Sequence, residues 1–465
     1  MSPLFGQYHR VHMIGVGGAG MEGLARILAA KGCCVSGSDQ AESQSLALLR
    51  QEGFTVHAGH DCQWISGADL VVYSAAIPAD NPELNAAVSQ GIPTVSRAEI
   101  LGELTREPFT LAVAGTHGKT TTASMVATIL RHAGFAPQVL VGGWVNGRPQ
   151  AEMGRGEFFV VEADEFARSF LHLYPSLALV TSVDAEHLDC YGDFEAVEIA
   201  FGQFLERLPF YGKSVLAGDG LVGEGVLASL DRTHCTYGMD DDNDYRIAGL
   251  ETRAWGSRFE ICFDGQSLGE IELQVHGEHN ARNAAGAAAL SSGLGVDFPV
   301  ISEALAKFNG VDRRYQCKGE AGGVLVIDDY AHHPAELAAV IAAARQSGRR
   351  VIAVFQPHLY SRTRDFAEDF GRELAVADHV VLTEIFASRE TPLPGVDSGI
   401  IQNALHSRGY AAVDYLTERE QLVPHLLELC DAGDLVLAMG AGDIGETAEQ
   451  LASALAIRAD IEAIS

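Results

Sequence analysis

The stretch Phe109–His132, FTLAVAGTHGKTTTASMVATILRH, limits what this chain can fold into more than any other. An apolar β-type run, 109–114, empties into Gly115-Thr116-His117-Gly118-Lys119-Thr120-Thr121. Val126, Ile129, Leu130 and Ala133 then recur at helical spacing. A glycine loop between strand and helix wraps backbone N–H groups around phosphate oxygens, and the helix N-terminus adds partial positive charge. In that setting Lys119 neutralises β- and γ-phosphates and Thr120 offers its hydroxyl to Mg²⁺. The usual loop has four residues between its glycines, whereas Gly115-x-x-Gly118-Lys119-Thr120 is shorter. The competing reading is an ordinary strand–turn–helix with a surface lysine. The order of strand, loop and helix favours phosphate binding.

At 465 residues, 47% of them apolar, the chain has material for two to four domains. Its 62 Asp and Glu against 32 Lys and Arg leave a net charge of −30. That argues against a sequence-independent nucleic-acid binder, which needs a phosphate-neutralising surface. An anionic nucleotide can still be held where a few basic groups and a cation are focused in a cleft. Eight scattered cysteines without a C-x-x-C pair suggest reduced thiols. Residues 1–9 lack a signal-peptide core, and no charge-free apolar run reaches membrane-spanning length. The expectation is a cytoplasmic protein with no membrane insertion and no nucleic-acid partner, monomer or homodimer.

Upstream, 11–14 reads as a strand that enters Gly15-Val16-Gly17-Gly18-Ala19-Gly20, followed by a small-residue helix and a second strand ending at Gly37-Ser38-Asp39. This is the dinucleotide-type βαβ pattern, with Asp39 placed to accept a ribose hydroxyl from either NAD or a UDP compound. A further strand, 70–73, delivers Ser74 to the same sheet edge, and a first domain boundary is expected near 107. After the P-loop, strands 158–161 and 177–181 end in Glu162-Ala163-Asp164-Glu165 and Asp184-Ala185-Glu186-His187. Ligands of doubly wound sheets sit beyond the carboxyl ends of strands, so Thr120, Glu162 and His187 are expected to converge on one Mg²⁺. Helix caps and satisfied polar side chains are the bland alternatives. Asn280 and Asn283 share a face of an Ala-rich helix and can read adenine or merely cap a turn. Arg313-Arg314 can clamp phosphates or form a surface pair. From about 315 the strand-then-polar grammar repeats, with 324–327 leading into Asp328-Asp329-Tyr330-Ala331-His332-His333, 351–355 into Gln356 to Asp365, and 435–439 into a second G-x-G-x-x-G at 440–445.

Together these blocks resemble the Mur ligase family, and in particular its alanine-adding branch. The carriers are GVGGAGM (15–21), SAAIPADNPE (74–83), AGTHGKTTT (114–122), EADE (162–165), HNARN (279–283), GVDRR (310–314), DDYAHHP (328–334), FQPHLYSRTRD (355–365) and GAGDIG (440–445). They run in the family's order over nearly the whole chain. The resemblance implies an α/β protein of three domains. A Rossmann-like domain, 1–107, would bind a UDP-sugar. A P-loop ATPase-type domain, 108–314, would bind ATP. A Rossmann-like domain, 315–465, would close over ATP and the amino acid. The implied activity is an ATP-dependent ligase joining L-alanine to the lactyl carboxylate of UDP-N-acetylmuramate through an acyl phosphate, in peptidoglycan precursor synthesis.

Carried over residue by residue, Lys119 would bind ATP phosphates within the cradle of Gly115, Thr116, Gly118, Thr120 and Thr121. Thr120, Glu162 and His187 would hold Mg²⁺, and the 25 residues from Glu162 to His187 match the family spacing. His279, Asn280 and Asn283 would face adenine, and Arg314 the triphosphate. Asp329 and His332 would approach ribose and substrate, while His358, Arg362 and Arg364 would orient carboxylate or phosphate. Gly15, Gly17, Gly18, Gly20, Asp39 and Ser74 would hold the UDP-sugar. Two departures stand out. After EADE comes Phe166-Ala167-Arg168 in place of an acidic-serine continuation, and no lysine lies between His187 and Gly212, where some relatives carbamylate one. Glu198 is a candidate replacement as a metal ligand; otherwise it is a solvent-facing helix glutamate. The alternatives weighed against this assignment are a sister ligase attaching a recycled peptide, an NAD-dependent dehydrogenase and a non-catalytic nucleotide-binding regulator.

Overall fold

The computed structural model describes residues 6, 8–145, 148–228, 230–253, 256–388 and 390–464. Most of the opening stretch 1–9 thus lies outside the described residues. Met1–Val311 forms one compact unit and Asp312–Ser465 another.

The first unit carries two sheets. The five-stranded one is wholly parallel, in the order Thr55–Ala58, Cys34–Asp39, Arg10–Ile14, Leu70–Tyr73, Thr94–Ser96. Strand order reverses between Arg10–Ile14 and Leu70–Tyr73, so the turns after these two strands open a crevice at the sheet's carboxyl edge. The glycine loop 15–20 and Ser74 stand there.

The second sheet has ten strands. Phe109–Ala114 lies inside it, flanked by Phe158–Glu162 on one side and Leu177–Val180 on the other, all parallel. Leu111, Ala112, Val113 and Ala114 are wholly buried, as expected of a strand covered on both faces. The helix Lys119–His132 packs against it through Met125, Val126, Ile129 and Leu130, none of them exposed. Burying such side chains contributes about 1.5–3 kcal/mol each. Arg131 and His132 place positive charge in the helix's last turn, and Gly134, at φ 83°, ends it. The acidic turns read between 240 and 275 connect the antiparallel strands Ser257–Phe263 and Gln266–Leu273 to this sheet. One apolar core runs through both sheets of the unit, which is why they form one unit although each has its own strand order.

The second unit has a six-stranded sheet in the order Gln316–Ala321, Val324–Asp329, Asp434–Met439, Arg350–Phe355, His379–Thr383, Val413–Leu416. Only its first strand is antiparallel. Separate apolar clusters cover its two faces. The unit begins at Asp312, so Arg313 and Arg314 fold with it.

Candidate active site

The P-loop strand is the hub because its neighbours end beside it. Gly115 at φ 136° and Gly118 at φ 77° take conformations that a side chain would strain. Thr116 N–H donates to Ser182 O at 2.9 Å, His117 N–H to Ser182 Oγ at 3.1 Å, and Asp184 N–H to Thr116 Oγ1 at 2.9 Å. The turn after Leu177–Val180 therefore fixes the loop from one side.

On the other side, Thr120 Oγ1 donates to Glu162 Oε1 at 2.9 Å, and Gly142 N–H donates to Glu162 Oε2 at 2.8 Å. A hydroxyl and a carboxylate oxygen at this distance are the donor set Mg²⁺ takes. The expected third ligand is placed differently. His187, left-handed at φ 57°, has Nε2 3.7 Å from Glu165 Oε1 and groups with Glu165 and Glu186 rather than with Glu162. The Phe166 ring packs edge-on against His187 at 5.2 Å, and the Arg168 guanidinium lies 5.0 Å from the Tyr191 ring. The unusual Phe166-Ala167-Arg168 segment thus shapes the turn that carries His187's neighbours.

Glu198 does not reach this site. Its carboxylate lies against Gly223 and Gly225, where a Cβ on Gly225 would stand 2.8 Å from Glu198 Oε2. The helix Phe194–Glu206 packs against the helix Glu224–Ala228 on that face. The metal-ligand expectation for Glu198 is therefore corrected to a packing role.

Asn280 and Asn283 are buried on the helix Glu278–Gly293 and bonded to each other, Asn283 Nδ2 to Asn280 Oδ1 at 3.3 Å. Asn283 sits directly over the P-loop: a Cβ on Gly118 would stand 2.6 Å from its Oδ1. His279 is exposed in the helix's first turn.

Lys119 is turned inward. Its Nζ donates to Gly115 O at 2.6 Å, Thr116 O at 3.1 Å and Glu165 Oε2 at 2.7 Å. Burial works against its ammonium, but Glu165, then Asp164, outweigh it, and the pKa is raised. Burial lifts the Glu165 carboxyl, against the pull of Lys119. Glu165 and Glu186 were not singled out as site residues from the sequence. Their signal was the clustering of acids at two strand ends flanking the P-loop.

In the parallel five-stranded sheet, Gly17 N–H donates to Asp39 Oδ2 at 2.8 Å and Gly15 N–H to Ser38 O at 2.8 Å. Ser74 packs under Gly15, where a Cβ would lie 3.1 Å from Ser74 Cβ. Gly18 caps the following helix and Gly20 lies in its first turn, where Arg97 crosses it. Beneath the loop lies a buried polar network missed from the sequence. His12 Nε2 meets Glu83 Oε2 at 2.7 Å, and Ser38 Oγ donates to the same oxygen at 2.8 Å.

In the second unit the strand runs two residues beyond the expected 324–327, so that Asp328 and Asp329 are its last residues and are buried. They are tolerated there because Arg313 and Lys318 flank Asp328, and Tyr315 and Ala331 N–H groups each donate to Asp329 at 2.7 Å. Burial pushes the Asp329 carboxyl up to about 6, against Arg314. The Arg314 guanidinium lies 5.6 Å from the Tyr330 ring, Tyr330 is 5.3 Å from His332, and His332 is 5.7 Å from His358. Burial lowers the His332 pKa; Glu336 opposes this and Arg362 adds to it. Arg314, Asp329, His332 and Arg362 therefore converge at the carboxyl edge of this sheet.

A strand parallel to both its neighbours that enters a glycine loop with Lys119 and Thr120, beside a strand-end carboxylate, defines a P-loop nucleotide-binding α/β protein. Three family descriptions match successive regions: "Mur ligase family, catalytic domain" over 10–108, "Mur ligase middle domain" over 113–291 and "Mur ligase, glutamate ligase domain" over 313–442. The chain belongs to the Mur ligase family. It is 42% identical to the UDP-N-acetylmuramate–L-alanine ligase of Salinibacter ruber, over 96% of this chain and 95% of that one. Its identity to the ligase of the same name from Syntrophotalea carbinolica is 40%, over 97% and 98%. Among solved structures, the UDP-N-acetylmuramate–alanine ligase of Thermotoga maritima matches with a TM-score of 0.82 at 28% identity, covering 96% of this chain and 98% of that one. A murein peptide ligase from Psychrobacter arcticus matches at 0.73 and 25%, covering 96% and 99%. Among the described residues no helix is long and apolar enough to cross a membrane.

Proposed function

We propose that this chain is a cytoplasmic, ATP-dependent ligase that joins L-alanine to the lactyl carboxylate of UDP-N-acetylmuramate. What carries the reading is a complete P-loop, with Lys119 and the Thr120–Glu162 pair, on a chain similar over nearly its full length to alanine-adding relatives. The peptide-attaching alternative is the less similar of the two structural neighbours. A dehydrogenase would leave Lys119 and Glu162 without work.

A free carboxylate is a poor electrophile, so the γ-phosphoryl group of ATP is first transferred to the lactyl carboxylate. The amine of L-alanine then attacks the acyl carbon and gives up a proton to solvent; the tetrahedral intermediate collapses by breaking the acyl carbon–oxygen bond, and inorganic phosphate leaves with that oxygen. The protein's share is positioning and neutralisation of growing charge. Lys119 contacts the outer phosphates, and the loop N–H groups of Gly115 to Thr121 surround them. Asn280 and Asn283, with His279, contact the adenine. Mg²⁺, held by Thr120 and Glu162 with His187 nearby, would shield the phosphate charge. Gly15, Gly17, Gly18, Gly20, Asp39 and Ser74 bind the UDP-sugar. Arg314, Asp329, His332 and Arg362 serve as nucleotide- and substrate-contacting groups of the second unit.

The test is phosphate release from ATP by the purified chain with UDP-N-acetylmuramate, supplied in parallel with L-alanine, other amino acids or a tripeptide. Release requiring both UDP-N-acetylmuramate and L-alanine is expected. Release driven by the tripeptide, or indifferent to the UDP-sugar, would overturn the assignment.

A further inference from the structure

The P-loop lysine has no proton to spare. An ammonium has three N–H donors, and Lys119 spends them on Gly115 O, Thr116 O and the carboxylate of Glu165, whose two oxygens lie 2.7 and 3.0 Å from Nζ. Phosphate can reach Lys119 only if one of these bonds is given up. The two carbonyls belong to the loop itself, and their positions are set by the backbone. The exchangeable partner is Glu165.

Glu165 is held in place for this contact. Its side chain is 3% exposed, and its backbone carbonyl accepts the Tyr191 hydroxyl at 2.6 Å. It opens the turn Phe166–His172, in which Ala167 and Arg168 take left-handed φ values of 51° and 57°. Such non-glycine conformations persist only where the surroundings impose them. The same Oε1 that meets Lys119 at 3.0 Å also faces His187 Nε2 at 3.7 Å, and Glu186 joins the same group. One carboxylate therefore stands between a lysine on the P-loop and a set of groups able to bind a cation.

We propose that Glu165 is a latch on the P-loop, a positioning residue that occupies Lys119 in the empty protein and releases it to phosphate when a divalent cation engages the Glu165–Glu186–His187 group. This rests on the reading of Lys119 as the phosphate-binding lysine. The consequence is a thermodynamic coupling: cation and nucleotide each favour the state in which Glu165 has left Lys119, so each strengthens the other's binding. Nucleotide alone must break a buried charge-assisted bond and approach a buried carboxylate.

Calorimetric titration of ADP into the full chain, with Mg²⁺ and with EDTA, reads this directly and needs no turnover. In Glu165→Gln the latch is neutral. ADP affinity in EDTA should rise about tenfold, the size of one charge-assisted hydrogen bond, and the factor by which Mg²⁺ improves binding should shrink by a similar amount. A cooperatively melting Glu165→Gln protein with unchanged or weaker ADP affinity in EDTA would overturn the latch. If Glu165→Gln does not fold, Glu165→Asp retains the charge one methylene short of Lys119. It should bind ADP in EDTA about threefold more tightly, and wild-type affinity there would overturn the idea. Lys119→Ala separates the two levels of inference. ADP binding that survives its loss removes the phosphate-binding reading itself, whereas binding that depends on Lys119 but ignores residue 165 removes only the latch.

Discussion

Gly118 and Gly134 bracket one helix, and comparing Gly118→Ala with Gly134→Ala isolates the packing of the P-loop from the strain of its backbone. Both residues are left-handed, at φ 77° and 83°. An alanine at either position carries the same backbone penalty, about 1–2 kcal/mol. At Gly134 nothing lies within 4 Å of the added Cβ, whereas at Gly118 it would stand 2.6 Å from Asn283 Oδ1. Asn283 must then swing away and lose its bond to Asn280, worth about 0.5–1.5 kcal/mol. The expected totals are about 1–2 kcal/mol for Gly134→Ala and about 1.5–3.5 kcal/mol for Gly118→Ala. Scanning calorimetry on the full chain should therefore show both variants melting below wild type, Gly118→Ala by the wider margin. ADP titration supplies the second readout. Gly134→Ala should bind like wild type, and Gly118→Ala should bind weakly, because both the loop N–H groups and Asn283 are displaced. Equal melting shifts with equal ADP affinities would refute the placement of Asn283 over the loop.

Glu83→Gln should destabilise the chain by about 2–4 kcal/mol at neutral pH, since it leaves a buried polar network one charge short. Burial raises the Glu83 carboxyl, but His12, Ser38 and His60 outweigh it and the pKa is lowered. The stability it contributes is thus full above the unfolded-state value and lost as pH falls through the lower folded-state value. A melting deficit that stays constant on acidification would contradict this. Arg313→Ala removes the guanidinium that reaches Gly442 O at 2.8 Å and lies 3.5 Å from the buried Asp328. The second unit should lose about 2–4 kcal/mol in denaturant titrations, and a loss within experimental error would show that Lys318 suffices. Glu198→Gln should leave the Mg²⁺ requirement of phosphate release untouched, because the side chain packs on Gly223 and Gly225; a raised requirement would return Glu198 to the metal site.

The P-loop was legible because its parts are contiguous: Gly115, Gly118, Lys119 and Thr120 follow a buried strand without interruption. Glu162 was legible because strand ends face ligands in parallel sheets. Glu198 misled because helical periodicity tells which residues share a face but not what that face meets, and Gly223 and Gly225 arrive from a separate turn. Glu165 went unread for a related reason. Its contact with Lys119 depends on a turn with two left-handed non-glycine residues, Ala167 and Arg168, which no local propensity calls for. The strand 324–327 was expected to stop before Asp328 because carboxylates rarely lie in a buried strand; Arg313, Lys318 and two backbone donors let it run on to Asp329. Three sheets were visible as three runs of strand and turn. The shared core that makes the first two sheets one unit is a property of packing, which runs of strands do not display.

The indole N–H of Trp144 donates to Glu22 Oε1 at 3.0 Å. Trp144 lies near the end of the strand Gln138–Val145 of the ten-stranded sheet, and Glu22 lies in the first turn of the helix that leaves the glycine loop at 15–20. With only three tryptophans in the chain, one of them is a natural optical probe planted on the seam between two glycine loops. A change at the glycine loop 15–20 that moves the helix carrying Glu22 is therefore expected to alter the hydrogen bond of this indole, and its emission is the readout that checks it.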